Sequence, residues 1–339
     1  MQTSAHQDDE EGSLGEVKSC SLFGVDVMCT QGHPNEAASN GRKFRCDLAV
    51  VLLVVAVIAA GSKAASAQSL NWEGQTGVFV TPLAYSVSTG NAPFSIPVVS
   101  YHYLDGGPVL GGFHQISITM GAFNRVEFGY TGSLHQDGST AGLSTLWSGG
   151  FNTFHGKINL FRERRGGLPA LSVGFVARTQ VRNVGGVIQG QDTHNQDFYV
   201  VATKTITRIQ KLPLVFNAGF KATNASLLGL AGNAPGYSGR AFGAAGFAFK
   251  GPGRSTILLG SEVLQEPRSI QGLPGAVVPT TITYAVRIVP SGALPIHGWG
   301  VETPKLTLDF GLAQAAGRIA PGVDLQARHQ FAFGISYGF

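Results

Sequence analysis

No cysteine occurs after residue 46; Cys20, Cys29 and Cys46 are the only three in 339 residues. Everything downstream therefore lacks disulfides, thiol nucleophiles and thiolate metal sites. Long apolar runs are missing too. Past residue 67 none approaches the roughly 20 residues that a membrane helix requires. The chain has no H-E-x-x-H and no G-x-x-x-x-G-K-[ST], and its G-x-S-x-G match, Gly334 to Gly338, lies inside the alternating terminal run rather than at a strand-to-helix elbow, which removes the common zinc, phosphate-loop and serine-hydrolase signatures. The glycine-bearing stretches 106–112 and 226–237 read as loops. Charge is sparse, at 13% of residues, and its basic excess is too dispersed for a nucleic-acid patch. These absences leave no catalytic residue, metal or cofactor to assign. His194, with Asp192 and Asp197 on either side, is the nearest approach to a catalytic or metal cluster, and an ordinary polar loop is the reading preferred for it.

What is present begins with a leader unlike the rest. Arg42, Lys43 and Arg45 precede the apolar run 48–60, and Ala65-Ser66-Ala67 follows it. A basic region, a short apolar region and an A-x-A site form a secretory signal, which predicts cleavage after Ala67 with Ala65 and Ala67 as its determinants. Residues 1–67 are thus a polar leader plus signal peptide, and Met28 is an alternative start. Removing the first 67 of 339 residues leaves 272. Five of the 24 basic and eight of the 20 acidic residues precede the cut, so the mature charge is +7. An exported chain without disulfides needs another means of holding together, and a closed hydrogen-bonded sheet in lipid is one.

Beyond the leader, side chains alternate with period two. Residues 306, 308, 310 and 312 are Leu, Leu, Phe and Leu, against Lys305, Thr307, Asp309 and Gly311. Ile282, Tyr284, Val286 and Ile288 alternate with Thr281, Thr283, Ala285 and Arg287. Alternation of this kind sends whole side-chain sets to opposite faces of a sheet. It predicts about twelve strands from 96–105 to 327–339, many longer than the five or six residues usual in soluble sheets. Connections on one side are tight, as at 122–123 and 251–254, with 292–302 as an exception. Those on the other, at 136–151, 182–195 and 226–237, are long and rich in glycine, asparagine and serine. Short turns opposite long loops are the pattern of a membrane barrel. The expected fold is therefore all-β: a transmembrane, antiparallel, up-and-down barrel over 96–339, with 68–95 as a lead-in or plug.

The last strand carries a family feature. Phe331, Phe333, Ile335, Tyr337 and Phe339 share one face, and Phe339 ends the chain. This resembles the terminal strand of Gram-negative outer-membrane barrels. The resemblance implies insertion into the cell outer membrane by the assembly machinery, with those five residues as the assembly signal. It also implies a periplasmic position for both termini.

Taking the greasier parity of each strand as lipid-facing assigns Arg125, Glu127, Lys157, Arg178, Lys204, Lys221, Glu262, Arg287, Lys305 and Asp309 to the lumen. Seven of these ten are basic, which in a narrow pore favours anions; a cross-lumen ion-pair network that only fills the barrel fits the same residues. Trp147, Trp299, Tyr101, Tyr103, Tyr130, Tyr199 and Tyr284 fall near strand ends and are expected in interfacial girdles. The first functional expectation is a monomeric, porin-like passive channel or transporter for small, anion-favoured solutes, with lipid as partner and no nucleic acid. A non-conducting structural or surface-interaction barrel, associated with the envelope or an exopolysaccharide, is the second. A barrel hydrolase is third, without a supporting constellation.

Overall fold

Alternation becomes geometry in the computed structural model of the chain. The structure describes residues 18–22, 25–29 and 69–339, the last range without 141–149, 164–166, 182–185, 187–192, 207–211, 254, 273–274, 276, 279, 291–305, 316–317, 321–322 and 325–326. In the leader, Lys18–Leu22 and Val25–Cys29 pair as an antiparallel hairpin. The predicted signal run and its Ala65 and Ala67 lie outside the described residues.

Twelve strands make one closed barrel. They are β1 (Val98–Asp105), β2 (Gly112–Ala122), β3 (Val126–Gln136), β4 (Phe151–Phe161), β5 (Ala170–Val181), β6 (Thr193–Ile206), β7 (Leu214–Ser226), β8 (Gly232–Lys250), β9 (Thr256–Leu264), β10 (Thr281–Val289), β11 (Leu306–Ala315) and β12 (Ala327–Gly338). Each pairs antiparallel with its successor, and β12 returns to β1 with Ile335 opposite Tyr101. Closure leaves no edge strand, so the ladder bonds of the wall are satisfied internally, as a hydrocarbon environment demands.

The two faces separate as the alternation requires. Thr307 and Asp309 are buried inside, whereas Leu306, Leu308, Phe310 and Leu312 point outward on the same strand. The outer face exposes Phe128, Phe154, Phe175, Phe198, Phe216, Phe220, Tyr284 and Phe331, several of them about half accessible. A continuous apolar belt of this extent is untenable in water and appropriate to lipid.

The turn joining β2 to β3 places two consecutive non-glycine residues, Phe123 and Asn124, at φ 53° and 54°. Left-handed geometry at both central positions matches the right-handed twist of the flanking strands, which is why such hairpins stay tight. The opposite end differs from expectation at two connections. β6 begins at Thr193 and β8 at Gly232, so the last three residues of the predicted loop 182–195 and half of 226–237 are strand. In β8 the pairing shifts register between Asn233 and Ser238. A bulge spends residues without ending the strand, so its Gly, Pro and Asn composition resembles that of a loop.

Candidate functional site

The lumen is occupied by the chain itself. Residues 69–97 form no regular strand, only isolated bridges such as Leu70 to Thr76 and Gly77 to Pro82. Asn71 organises the first turn: its Oδ1 accepts the N–H groups of Glu73 (3.1 Å) and Gln75 (2.9 Å), the Asx-turn use of asparagine. Gly74 follows at φ 82°, and a Cβ there would lie 2.6 Å from the Thr131 hydroxyl on the wall. Only glycine meets both requirements. Trp72, Phe79 and Leu83 of this plug form one buried apolar cluster with wall residues Phe242 and Leu264.

Plug backbone and wall side chains are bonded strand by strand. On β3, the Glu127 carboxylate accepts the N–H groups of Thr76 (2.9 Å) and Val87 (3.0 Å) and the Thr76 hydroxyl. Lys157 on β4 pairs with Glu127 at 2.9 Å and donates to the Thr76 carbonyl at 3.1 Å. Tyr199 on β6 accepts from Gln75 at 2.8 Å, and Thr203 accepts the Ala84 N–H at 2.8 Å. On β9, Glu262 accepts the N–H groups of Phe79 (2.8 Å), Val80 (3.0 Å) and Thr81 (2.7 Å) and the Thr81 hydroxyl (2.7 Å). Arg287 on β10 pairs with Asp309 at 2.6 Å and donates to the Gly77 (3.0 Å) and Val78 (2.9 Å) carbonyls. Ser69 closes the set on Asp309 at 3.0 Å. Buried polar groups carry a large penalty when unpaired, so each bond holds the plug in one position.

A second chain of charges crosses the barrel toward the loop end. Glu73 of the plug lies 2.5 Å from Arg178, which also pairs with Asp197 at 2.9 Å. Lys221 bridges Asp197 (3.4 Å) to Glu266 (3.2 Å), just past β9. Among the described residues, the buried basic groups besides histidine are Lys157, Arg178, Lys221 and Arg287. They face six buried acids: Glu73, Glu127, Asp197, Glu262, Glu266 and Asp309.

Seven of the ten lumen assignments point inward: Glu127, Lys157, Arg178, Lys221, Glu262, Arg287 and Asp309. Three do not stand as assigned. Arg125 is exposed in the β2–β3 turn, where it donates to the Asn159 (3.3 Å) and Leu160 (3.1 Å) carbonyls. Lys204 lies on the outer parity of β6 with Phe198 and Val200, 3.4 Å from Glu163. Both faces of that strand carry apolar side chains, Tyr199 and Val201 being inward, so hydropathy gives no parity there. Lys305 is outside the described residues. Tyr199 is itself a lumen residue rather than part of a girdle, while Trp147 and Trp299 are not described. His194 and Asp197 point to opposite faces of β6, so the weak cluster suggested by their spacing does not assemble; Asp192 is not described. The acids Glu73, Asp197 and Glu266 were not assigned to the lumen from sequence because none lies on a clearly alternating run. Phe331, Phe333, Ile335, Tyr337 and Phe339 lie along the outer face of the closing strand.

At the loop end, Leu227, Leu228 and Leu230 fold inward onto the cluster of Trp72 and Phe79, joined by Ile270 and Val278 from the segment between β9 and β10. Ser226 anchors that segment through the Ser269 carbonyl at 3.1 Å, and Gln271 N–H donates to Asn233 at 2.7 Å. Its Glu266 is buried, and burial pushes the carboxyl up to about 7 from 4.5, against the opposing pull of Lys221 and Arg178 and with added repulsion from Asp197. A carboxyl raised in the closed state favours closure below 4.5 and loses that contribution as pH climbs to about 7. Amide protection at Gln271 and Val278, corrected for intrinsic exchange, is therefore expected to fall between pH 5 and 8. In Glu266→Gln it should be flat across that range; an unchanged slope would remove Glu266 as the cause.

No protein family and no curated protein matches this sequence. Among solved structures the chain is similar to the NanC porin, at 8% identity over 72% of this chain and 98% of that one, with a TM-score of 0.41. It is similar to the KdgM porin in complex with disordered oligogalacturonate at 8% identity, 71% and 99% coverage and a TM-score of 0.39. A third similarity is to OccK5 (OpdH) of Pseudomonas aeruginosa, at 11% identity, 72% and 66% coverage and a TM-score of 0.32.

Proposed function

We propose that this chain is an outer-membrane channel for small solutes whose lumen is narrowed by its own N-terminal segment. The observation that carries this reading is a closed twelve-stranded barrel, apolar outside and polar inside, with residues 69–87 bonded to the inner wall. Barrels of this size fall between filled eight-stranded ones and the open channels of 16 to 18 strands, so one internal segment suffices to restrict passage. The reading places the tight turns and both ends of the mature chain in the periplasm, the longer loops outside, and the protein in lipid as a monomer. The positive lumen expected from the sequence does not carry over: with six buried acids against four bases among the described residues, no anionic preference follows. Planar-bilayer recording of refolded residues 68–339 tests the proposal. Discrete steps of small conductance are expected; silence under all voltages would leave the non-conducting structural barrel, which the density of plug bonds favours.

Assembly by recognition of the terminal strand belongs to the same proposal. Tyr337 and Phe339 pack edge to face at 5.3 Å on the outer side. Changing both to Ala should lower the yield of heat-modifiable barrel in cells severalfold while changing the melting of the molecules that do fold much less. Wild-type yield from the double variant would mean that these rings are not read during insertion.

A further inference from the structure

The plug is not gripped evenly. Its hydrogen bonds reach β2 through β7 and β9 through β12, yet β8, all of whose residues are described, gives it none, and β1 meets it through the His102 ring against Phe79. The inner surface there is built from small residues: Ala244 and Gly246 on β8, Gly260 on β9 and Ala285 on β10. Between them and Val78, Leu83 and Tyr85 of the plug lies a cavity of about 70 Å³. Here plug and wall stand apart, with polar contacts confined to the margin of the gap.

The polar groups at its margin are already committed. Asn217 donates to the Pro82 carbonyl at 3.0 Å and accepts from Thr203 at 2.7 Å. Arg287 is shared between Asp309 and two plug carbonyls, and the Tyr85 hydroxyl donates to Glu163 at 2.5 Å. A charged guest would find no free counter-charge and would lose its hydration uncompensated. An uncharged, mainly apolar guest displaces little and leaves every existing bond intact. The apolar side chains that narrow the gap, Leu83 and Leu258, can rotate while Tyr85 stays bonded to Glu163, whereas moving the plug bodily strands the Glu262 charge.

Resting on the channel reading, we infer that small uncharged solutes with a large apolar share pass along this seam between β8–β10 and a plug that stays docked. The channel thereby favours uncharged solutes over ions of either sign, and its ionic conductance is small despite its many lumen charges.

Two measurements test this in the full chain with its three cysteines changed to serine. Ala244→Cys and Ala285→Cys in proteoliposomes should react with uncharged methyl methanethiosulfonate at least tenfold faster than Thr131→Cys, which lies under the plug-bonded side. The anionic sulfonatoethyl and cationic trimethylammonioethyl reagents should lag at the seam positions. Equal rates at all three positions, or faster reaction with the charged reagents, would overturn the seam. In the second measurement, liposome uptake of a small apolar alcohol should fall severalfold in Ala244→Leu/Ala285→Leu. Uptake in wild type that the filling variant leaves unchanged rejects the seam and keeps the channel. No protein-dependent uptake in wild type rejects both.

Discussion

Deleting residues 69–95 is expected to raise single-channel conductance by roughly an order of magnitude while the barrel still folds, because a twelve-stranded wall encloses far more space than the seam leaves open. Folding should survive because most wall charges keep a wall partner. Glu127 retains Lys157, Arg178 and Lys221 retain Asp197, and Arg287 retains Asp309. Glu262 is the exception, since the bonds described for it all come from Phe79, Val80 and Thr81. Water entering the emptied lumen would solvate that carboxylate, and Glu262→Gln in the deletion background removes the residual charge altogether. The deletion variant should therefore conduct with a modest cation bias that Glu262→Gln abolishes. Recording both variants in planar bilayers checks the pair of expectations. Conductance equal to wild type after deletion would mean that the plug does not limit flow.

The second large effect concerns the two faces of β11. Phe310 lies at mid-strand on the outer face, ring to ring with Phe333 at 5.4 Å. Phe310→Arg should cost about 2 to 4 kcal/mol of folding free energy in bilayers, the range for a basic residue at the lipid-facing midplane. Thr307 is 1% exposed on the inner face of a filled lumen. Thr307→Arg should therefore be costly in the intact chain, through overpacking, and nearly neutral once 69–95 are removed. Phe310→Arg should be equally costly in both backgrounds. Denaturant titrations of the four combinations in lipid vesicles measure this; rescue of Phe310→Arg by the deletion would place that residue in the lumen and shift the register of the strand.

Strand number and facing were legible because lipid imposes period two on one side of the wall. Leu308 and Phe310 against Thr307 and Asp309 carry that signal in a few residues, and the terminal strand carries it over ten. It fails where both sides are apolar. Tyr199 and Val201 pack against the plug and are as greasy as Phe198 and Val200 facing out, so Lys204 was misplaced by the same rule that placed Arg287. The plug's contacts were not legible at all, since Asn71, Gly74 and Thr76 work through backbone turns and carbonyls and leave no periodic trace. The ionic balance was missed for a related reason. Glu73 and Glu266 lie outside the strands, and their pairing with Arg178 and Lys221 depends on where loops fold.

The way the plug leaves the lumen sets how it returns. Phe123 N–H donates to Pro93 (2.7 Å) and Ser95 N–H to Gly121 (2.9 Å), so the segment is clamped to the β2–β3 turn just before it enters β1. A plug pulled free remains on a tether of a few residues, and its local concentration at the lumen is of millimolar order or above. Closing is then a first-order event, indifferent to how many barrels share the membrane. A free peptide with the plug sequence would compete only at comparable concentrations. The open lifetime of an undocked plug is thus written into the length of that tether, and, because Asn124 also holds Thr89 and Gly90, glycine-serine insertions between Val87 and Ser88 should lengthen it in graded steps.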